Sequence, residues 1–298
     1  MKNRAVFLNG SFCSSQEAMV SVFDRGFLFG DGLYDVLPCY NKHVLGLKSH
    51  LKRFDYNLSC IGIPNPYSED EWRNLFAELV NKETDPCMSI YVQVSRGISF
   101  ARKHAPELDL TPTVFVTTFA VTPPTVESLS RGYRVMTVAD PRPRSSYLKS
   151  TSHLPNVMLA KEAKEGGYDE VIVIRDGFAI EGMSSNLFIV HNDTLYTPPN
   201  SPALVNGITR DIIMTLAKQQ GIPCQEAPIR PSTLAQAQEI WLTGSTKEIV
   251  PVLQLNGAPV NTGKPGPIWQ KIYTEYCAYR AAHLEPLVVQ DEPCQQQI

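Results

Sequence analysis

Lys149 lies in the segment SSYLKSTSHLPNVMLAKEA and Glu181 in IEGMSSNLFIV. An unprotonated lysine amine on its flexible stem attacks an aldehyde, and burial or nearby positive charge lowers the amine's pKa toward that state. Arg142 and Arg144 are close to Lys149 in sequence, with side-chain directions left open. A lone lysine is otherwise a solvated surface residue. Glu181 falls between a strand-like run and Gly182, and short polar groups follow it at Ser184, Ser185 and Asn186. It reads either as a carboxylate set against a basic partner or as a plain turn residue.

Three further places suit an anion. Arg53, in HLKRF, has a planar fork that clamps two oxygens of a phosphate, although its place on the polar side of an amphipathic helix equally fits a solvated arginine. Thr209, after Gly207 and Ile208, opens a helix whose free N–H groups and dipole favour a phosphate, or it is simply an N-cap. Gly244 and Ser245 follow the strand EIWLT, where backbone approaches an anion closely, and they also make a common turn. The chain lacks G-x-x-x-x-G-K-[ST] and has no G-x-G-x-x-G after a strand, so neither familiar glycine-rich phosphate loop is present.

Tyr34, in GLYDV, is a strand tyrosine with one apolar flank and a directional hydroxyl. Arg102 and His104 sit on a polar loop, VSRGISFARKHAP, where exposed basic residues are common. His43, His50, His153, His191 and His283 are not spaced as metal ligands, so no metal site is expected. His153 lies close to Lys149 and either borders its site or, as the commoner case, has a packing or surface role. Trp72, Trp241 and Trp269 read as core.

These residues depend on the elements around them. Val6–Asn9 and Val36–Tyr40 read as strands. Leu47, Leu51, Phe54, Leu58 and Ile61 share one helical face, stopped at Gly62. Ser68 with Glu71 forms a capping box that opens a helix through Trp72, Leu75, Phe76 and Leu79. SIYVQVSRG and TVFVTTFAV are strands. AVTPPTVESL, with Pro123 and Pro124, reads as a linker. Beyond it come the strand YRVMTVAD, a helix from about Pro155 to Glu165, and the strands DEVIVIRDG, NLFIVHNDTLYTP and QEIWLTG with Asp-Gly and Asn-Asp turns. Another helix spans Ile208 to Gln220. The expected organisation is α+β: a smaller N-terminal domain (1–118), a linker (119–128), a larger domain (129–284), and a polar, poorly ordered tail (285–298).

Composition narrows the function. The 298 residues are 43% hydrophobic and 19% charged with net charge −3, which fits a soluble globular protein and gives no electrostatic case for nucleic acid or an anionic membrane. No apolar run spans a bilayer, and MKNRAVFLNGSF is not a signal peptide. Seven scattered cysteines, never spaced C-x-x-C, point to a reducing, cytoplasmic location.

Six strings in fixed order carry a resemblance: DRGFLFGDGLYDV, HLKRF, SSYLKSTSHLPNV, IEGMSSN, NGITRD and WLTGSTKEIVPV. From about Val6 to about Tyr276 the chain resembles the fold type IV enzymes that use pyridoxal 5′-phosphate, and within them the D-amino acid aminotransferases. The resemblance implies a two-domain α+β fold with the cofactor in the cleft between domains, and a homodimer. It implies that Lys149 bonds the cofactor's aldehyde and later moves the substrate proton, and that Glu181 keeps the ring nitrogen protonated so that the ring accepts electrons. Arg53, Ile208, Thr209, Gly244 and Ser245 then form the phosphate cup. Tyr34, Arg102 and His104 receive the substrate carboxylate. The R-x-H pair sits one position later after R-G than in those enzymes, and Asp35 replaces their glutamate. The implied substrates are an amino acid, D-alanine or D-glutamate, and a 2-oxo acid such as 2-oxoglutarate. Branched-chain L-amino acid aminotransferases share the fold, but their Y-x-R-P contrasts with YVQVSRG here. 4-Amino-4-deoxychorismate lyases share Lys149, Glu181 and the cup and usually lack R-x-H. A carrier of the cofactor without turnover would need neither Lys149 nor Glu181 as proton groups.

Overall fold

The computed structural model describes residues 4–287, and the chain divides into two compact units. The first runs to Thr122 and takes in the C-terminal segment from His283. Its elements are β1 (Ala5–Leu8), β2 (Ser11–Ser14), α1 (Arg25–Phe29), β3 (Gly32–Tyr40), β4 (His43–Leu45), α2 (Leu47–Cys60), α3 (Glu69–Asn81), β5 (Cys87–Ser95) and β6 (Thr113–Ala120). The strands form an antiparallel sheet in the order β4, β3, β5, β6, β1, β2, extended beyond β4 by Leu284–Pro286. That extension differs from the expected disordered tail: the edge of β4 offers unpaired backbone groups, and Leu284–Pro286 satisfies them. The tail beyond residue 287 lies outside the described residues.

Two helices cover this sheet because each has one apolar stripe. α2 buries Leu47, Leu51, Phe54 and Leu58, and ends before Gly62, whose φ of +64° suits glycine. α3 opens on the Ser68–Glu71 capping box and buries Trp72, Leu75, Phe76 and Leu79. Phe54 and Trp72 meet edge to face, their centroids 5.9 Å apart, so the helices share one aromatic core. β3 alternates in the expected period of two, with Leu33, Asp35, Leu37 and Cys39 all buried. The exception in type is Asp35, a carboxylate on a core face.

Between the units, the expected linker is shorter than 119–128. Phe119 and Ala120 complete β6, and α4 (Val126–Ser130) begins under a second capping box from Thr125. Pro123 and Pro124 keep the stretch between them out of regular structure.

The second unit, Pro123–Ala282, continues with β7 (Tyr133–Ala139), α5 (Leu154–Glu165), β8 (Glu170–Arg175), β9 (Phe178–Gly182), β10 (Asn186–His191), β11 (Thr194–Thr197), α6 (Ile208–Gln219), β12 (Cys224–Glu226), α7 (Pro231–Ala235), β13 (Glu239–Gly244), β14 (Glu248–Leu255), β15 (Ala258–Pro259) and α8 (Pro267–Ala282). Strands β10, β13, β14, β7, β8 and β9 follow one another, and β9 pairs back to β10. Six strands therefore close into a barrel, with β11 and β12 extending from β10 and β15 from β14. Asp176-Gly177 and Asn192-Asp193, all at positive φ, make the tight turns that the sequence announces. The barrel packs around Val135, Ile172, Leu187, Ile189, Ile240 and Leu242.

Candidate active site

Glu181 sits at the joint that closes the barrel. Its single pairing across β9 and β10 is with Asn186. The side chain is 3% exposed. Oε1 accepts from Arg142 Nη1 at 2.6 Å, and Oε2 from Asn186 Nδ2 at 3.3 Å. Burial pushes this carboxyl up to about 7, against the pull of Arg142 and of the Val205 N–H; the second carboxylate on Arg142, Asp140, pushes the same way as burial. Glu181 is thus buried, hydrogen-bonded and able to exchange a proton near neutral pH, the condition for holding a proton on a basic nitrogen. The plain-turn reading does not describe it.

Arg142 resolves the direction left open by sequence. Its guanidinium points inward to Glu181 and to Asp140, with Nε and Nη2 each 2.9 Å from an Asp140 oxygen, while Arg144 is 91% exposed. Burial opposes the charge on Arg142, but the hydrogen bonds to Asp140 and the charge of Glu181 hold its pKa above the ordinary value. Arg175 donates to Asp140 at 2.8 Å and to the Arg142 carbonyl at 2.7 Å. Two carboxylates and two guanidiniums therefore bury one another, as ionised groups in an interior must.

Lys149 lies between β7 and α5, half-buried. His153, at the entry to α5, is held below its ordinary pKa by burial and then by the charge of Lys149. The imidazole is thus Lys149's neighbour, the bordering position that the sequence left open beside a packing or surface role. Asn156 in the first turn of α5 donates to the Met183 carbonyl. The lysine segment is thereby fastened to the turn that follows Glu181.

The anion positions of this unit converge on Asn186. Its Nδ2 also donates to the Val205 carbonyl at 2.8 Å, and a Cβ on Gly207 would fall 1.8 Å from its Oδ1. Gly207 is therefore required for α6 to begin against Asn186. No side chain caps that helix start, so its first N–H groups remain available, with Ile208 half-buried and Thr209 buried beside them. On the other side Asn186 pairs with Thr243, the residue before Gly244 and Ser245. The Thr243 hydroxyl is buried without a hydrogen-bond partner. An uncapped helix start, a glycine-serine turn and an orphaned hydroxyl on one side of Asn186, with the Glu181 carboxyl on the other, fit a phosphorylated nitrogen heterocycle.

The remaining residues belong to the first unit. Arg53 is not the solvated helix arginine of the alternative reading: it is 11% exposed, with Nη2 2.7 Å and Nε 3.0 Å from Asp35 oxygens. His50 Nδ1 lies 2.9 Å from the same carboxylate. Burial alone would raise the Asp35 pKa, but Arg53 and His50 hold it well below the usual carboxylate range. Tyr34 stacks on Tyr91 with centroids 5.6 Å apart. Arg102 and His104 are exposed and flank one ring, Phe29, at 5.8 and 5.6 Å. Buried Arg25 donates to the carbonyls of Lys103 at 2.7 Å and His104 at 2.8 Å, anchoring the loop. Sequence reading passed over Arg25, Asp140, Arg175 and Glu170. Their signal is an ionic residue inside an apolar run, as in YDEVIVI, which becomes informative only once its burial is known.

Comparison with known proteins agrees with this chemistry. Residues 32–255 match the family Amino-transferase class IV. The chain is 34% identical over 269 residues to a D-alanine aminotransferase of Bacillus licheniformis, covering 90% of this chain and 94% of that one. It is 33% identical over 276 residues to a putative branched-chain-amino-acid aminotransferase of Methanocaldococcus jannaschii, covering 91% and 94%. The branched-chain amino acid aminotransferase of Escherichia coli shares the fold, with a TM-score of 0.89 at 24% identity over 96% of this chain and 100% of that one. This chain belongs to the class IV aminotransferases and works with pyridoxal 5′-phosphate.

Proposed function

We propose that the enzyme moves the amino group of a D-amino acid, D-alanine or D-glutamate, to a 2-oxo acid such as 2-oxoglutarate. The observation that carries this reading is the Arg102–His104 pair, held against Phe29 on a loop whose carbonyls Arg25 fixes. When bound, pyridoxal 5′-phosphate supplies an electron sink for the pair left at the substrate Cα. Lys149 Nζ would take the Cα proton and deliver it, on the same face, to the cofactor carbon that carried the aldehyde. His153, at the entry to α5, lies beside that amine. Glu181, with Arg142 setting its oxygens, holds a proton on the heterocyclic nitrogen. The start of α6 with Ile208 and Thr209 and the Gly244–Ser245 turn take phosphate oxygens, and Arg53, whose Nε and Nη2 are held by Asp35, adds its positive charge. Arg102, His104 and the Tyr34 hydroxyl take the substrate carboxylate.

The side from which the carboxylate is held decides which Cα–H faces Lys149, and so which enantiomer reacts. The second reading, a branched-chain L-amino acid aminotransferase, draws on the named relative from Methanocaldococcus jannaschii. Parallel assays of D-alanine and L-leucine, each with 2-oxoglutarate, separate the two. Turnover of D-alanine is expected, and Arg102→Ala should raise its KM by about tenfold with little change in kcat, since a carboxylate contact present in ground and transition states is uniform binding. Robust activity on L-leucine with none on any D-amino acid would sink the proposal.

A further inference from the structure

Glu170 opens β8 and is completely buried. Its carboxylate accepts from Ser185 Oγ at 2.8 Å, from the Ser184 N–H at 3.4 Å, and from Lys247 Nζ. Ser184 and Ser185 belong to the turn that joins β9 to β10, directly after Glu181 and Gly182. Lys247 belongs to the turn that joins β13 to β14, opened by Gly244 and Ser245. The two turns are distant in sequence, and one carboxylate ties them together. Gly182 exists on the same terms: a Cβ there would lie 2.5 Å from Glu170 Oε1 and 2.2 Å from Ser185 Oγ.

Nothing in barrel packing asks for a charge at position 170. The next residues of β8, Val171, Ile172 and Val173, are all buried and apolar. Apolar groups of similar volume commonly fill such a site as well or better than an ion pair. Lys247 is 21% exposed, on a turn where its ammonium had ready access to water, yet it reaches inward. An ion pair at this place gives direction rather than strength. It sets how far one turn stands from the other.

We infer that Glu170 and Lys247 are a positioning pair that fixes the phosphate-binding turn Gly244–Ser245 relative to the Glu181 hairpin, so that a ligand carrying both a heterocyclic nitrogen and a phosphate is held at both groups at once. The inference rests on the reading of Gly244 and Ser245 as phosphate donors. Without the pair the turn keeps its fold but loses its registration, and the phosphate half of the binding energy falls away while the heterocycle half remains.

The test is a titration of the full-length, cofactor-free chain with pyridoxal 5′-phosphate and, separately, with pyridoxal, which lacks the phosphate. Lys247→Met keeps the apolar stem and removes the charge. It should weaken pyridoxal 5′-phosphate by about tenfold or more and pyridoxal by less than about threefold, because a charge-assisted hydrogen bond is directional as well as strong. Lys247→Arg, which can still reach Glu170, should restore most of the loss. Glu170→Gln should show the same selective loss. An unchanged affinity for pyridoxal 5′-phosphate in Lys247→Met overturns the inference, and so does an equal loss for both ligands, which would make the pair a general brace. Ser245→Ala tests the underlying reading separately. If wild type prefers the phosphorylated ligand and Ser245→Ala keeps that preference in full, the phosphate turn itself is misassigned.

Discussion

The role proposed for Glu181 puts two demands on one carboxyl: it must be buried to exclude water from a nitrogen, and it must still be able to ionise. Arg142 supplies the second, and Asp140 keeps Arg142 from neutralising it outright. Glu181→Gln removes the acid while keeping the shape and the hydrogen bond from Asn186. Turnover should fall on the order of 10²-fold, the scale of a lost proton group, with cofactor binding largely retained; kcat with saturating cofactor and a cofactor titration report on these two outcomes separately, and a wild-type kcat would reject the role. Sequence singles out Lys149 and Glu181 because their neighbours KSTSHLPNV and EGMSSN are distinctive as strings. Arg142 was legible as a nearby charge but not as a partner, since Arg142 and Arg144 look alike until one is buried and the other is 91% exposed.

Elements differ in how much of themselves they announce. α2 and α3 were readable almost to the residue, because their stops and starts are local chemistry: positive φ at Gly62 and the reciprocal hydrogen bonds of Ser68 and Glu71. Ser68→Ala should lower stability by about 1 kcal/mol, the usual cost of losing an N-cap, seen as a lower urea midpoint with the same slope. An unchanged midpoint would mean that the capping box contributes nothing. Leu284–Pro286 was misjudged because its pairing depends on an edge strand far away in sequence. The closed barrel was not legible for the same reason. Its strands were readable one at a time, but the order β14, β7, β8 rests on parallel pairings that leave no short-range mark.

Over the whole molecule, the buried acids pull stability in two directions with pH. Asp35 is held below its ordinary value, so its contribution is present above about pH 4 and is lost as pH falls through that range. Glu181, raised to about 7, and Glu239, raised by burial, bind protons more readily folded than unfolded. Their effect is the reverse: the folded state loses stability as pH rises from about 4.5 toward 7. The cofactor-free chain should therefore be most stable in acidic solution, between about pH 4 and about pH 4.5. Melting temperatures taken from about pH 2 to about pH 8 would show this dome. Glu181→Gln should flatten its neutral side and Asp35→Asn its acid side, and parallel curves for all three proteins would refute the assignment.

The joint between β9 and β10 has one more consequence. A hoop of six staves opens first where the overlap is shortest, and here that overlap is a single residue pair, Glu181 with Asn186. Breathing of the barrel should thus be concentrated at Glu181, and, with Glu181 in its proposed role on the heterocycle, a bound cofactor would act as the clasp of the hoop. Amide exchange at Gly182 and Asn186 should slow on loading far more than exchange within β7 or β8, which pair with each other over five residues and with a further strand on the other side. Loss of the cofactor should then loosen the barrel at the Glu181–Asn186 joint, so the empty enzyme is expected to be the form that proteases and heat find first.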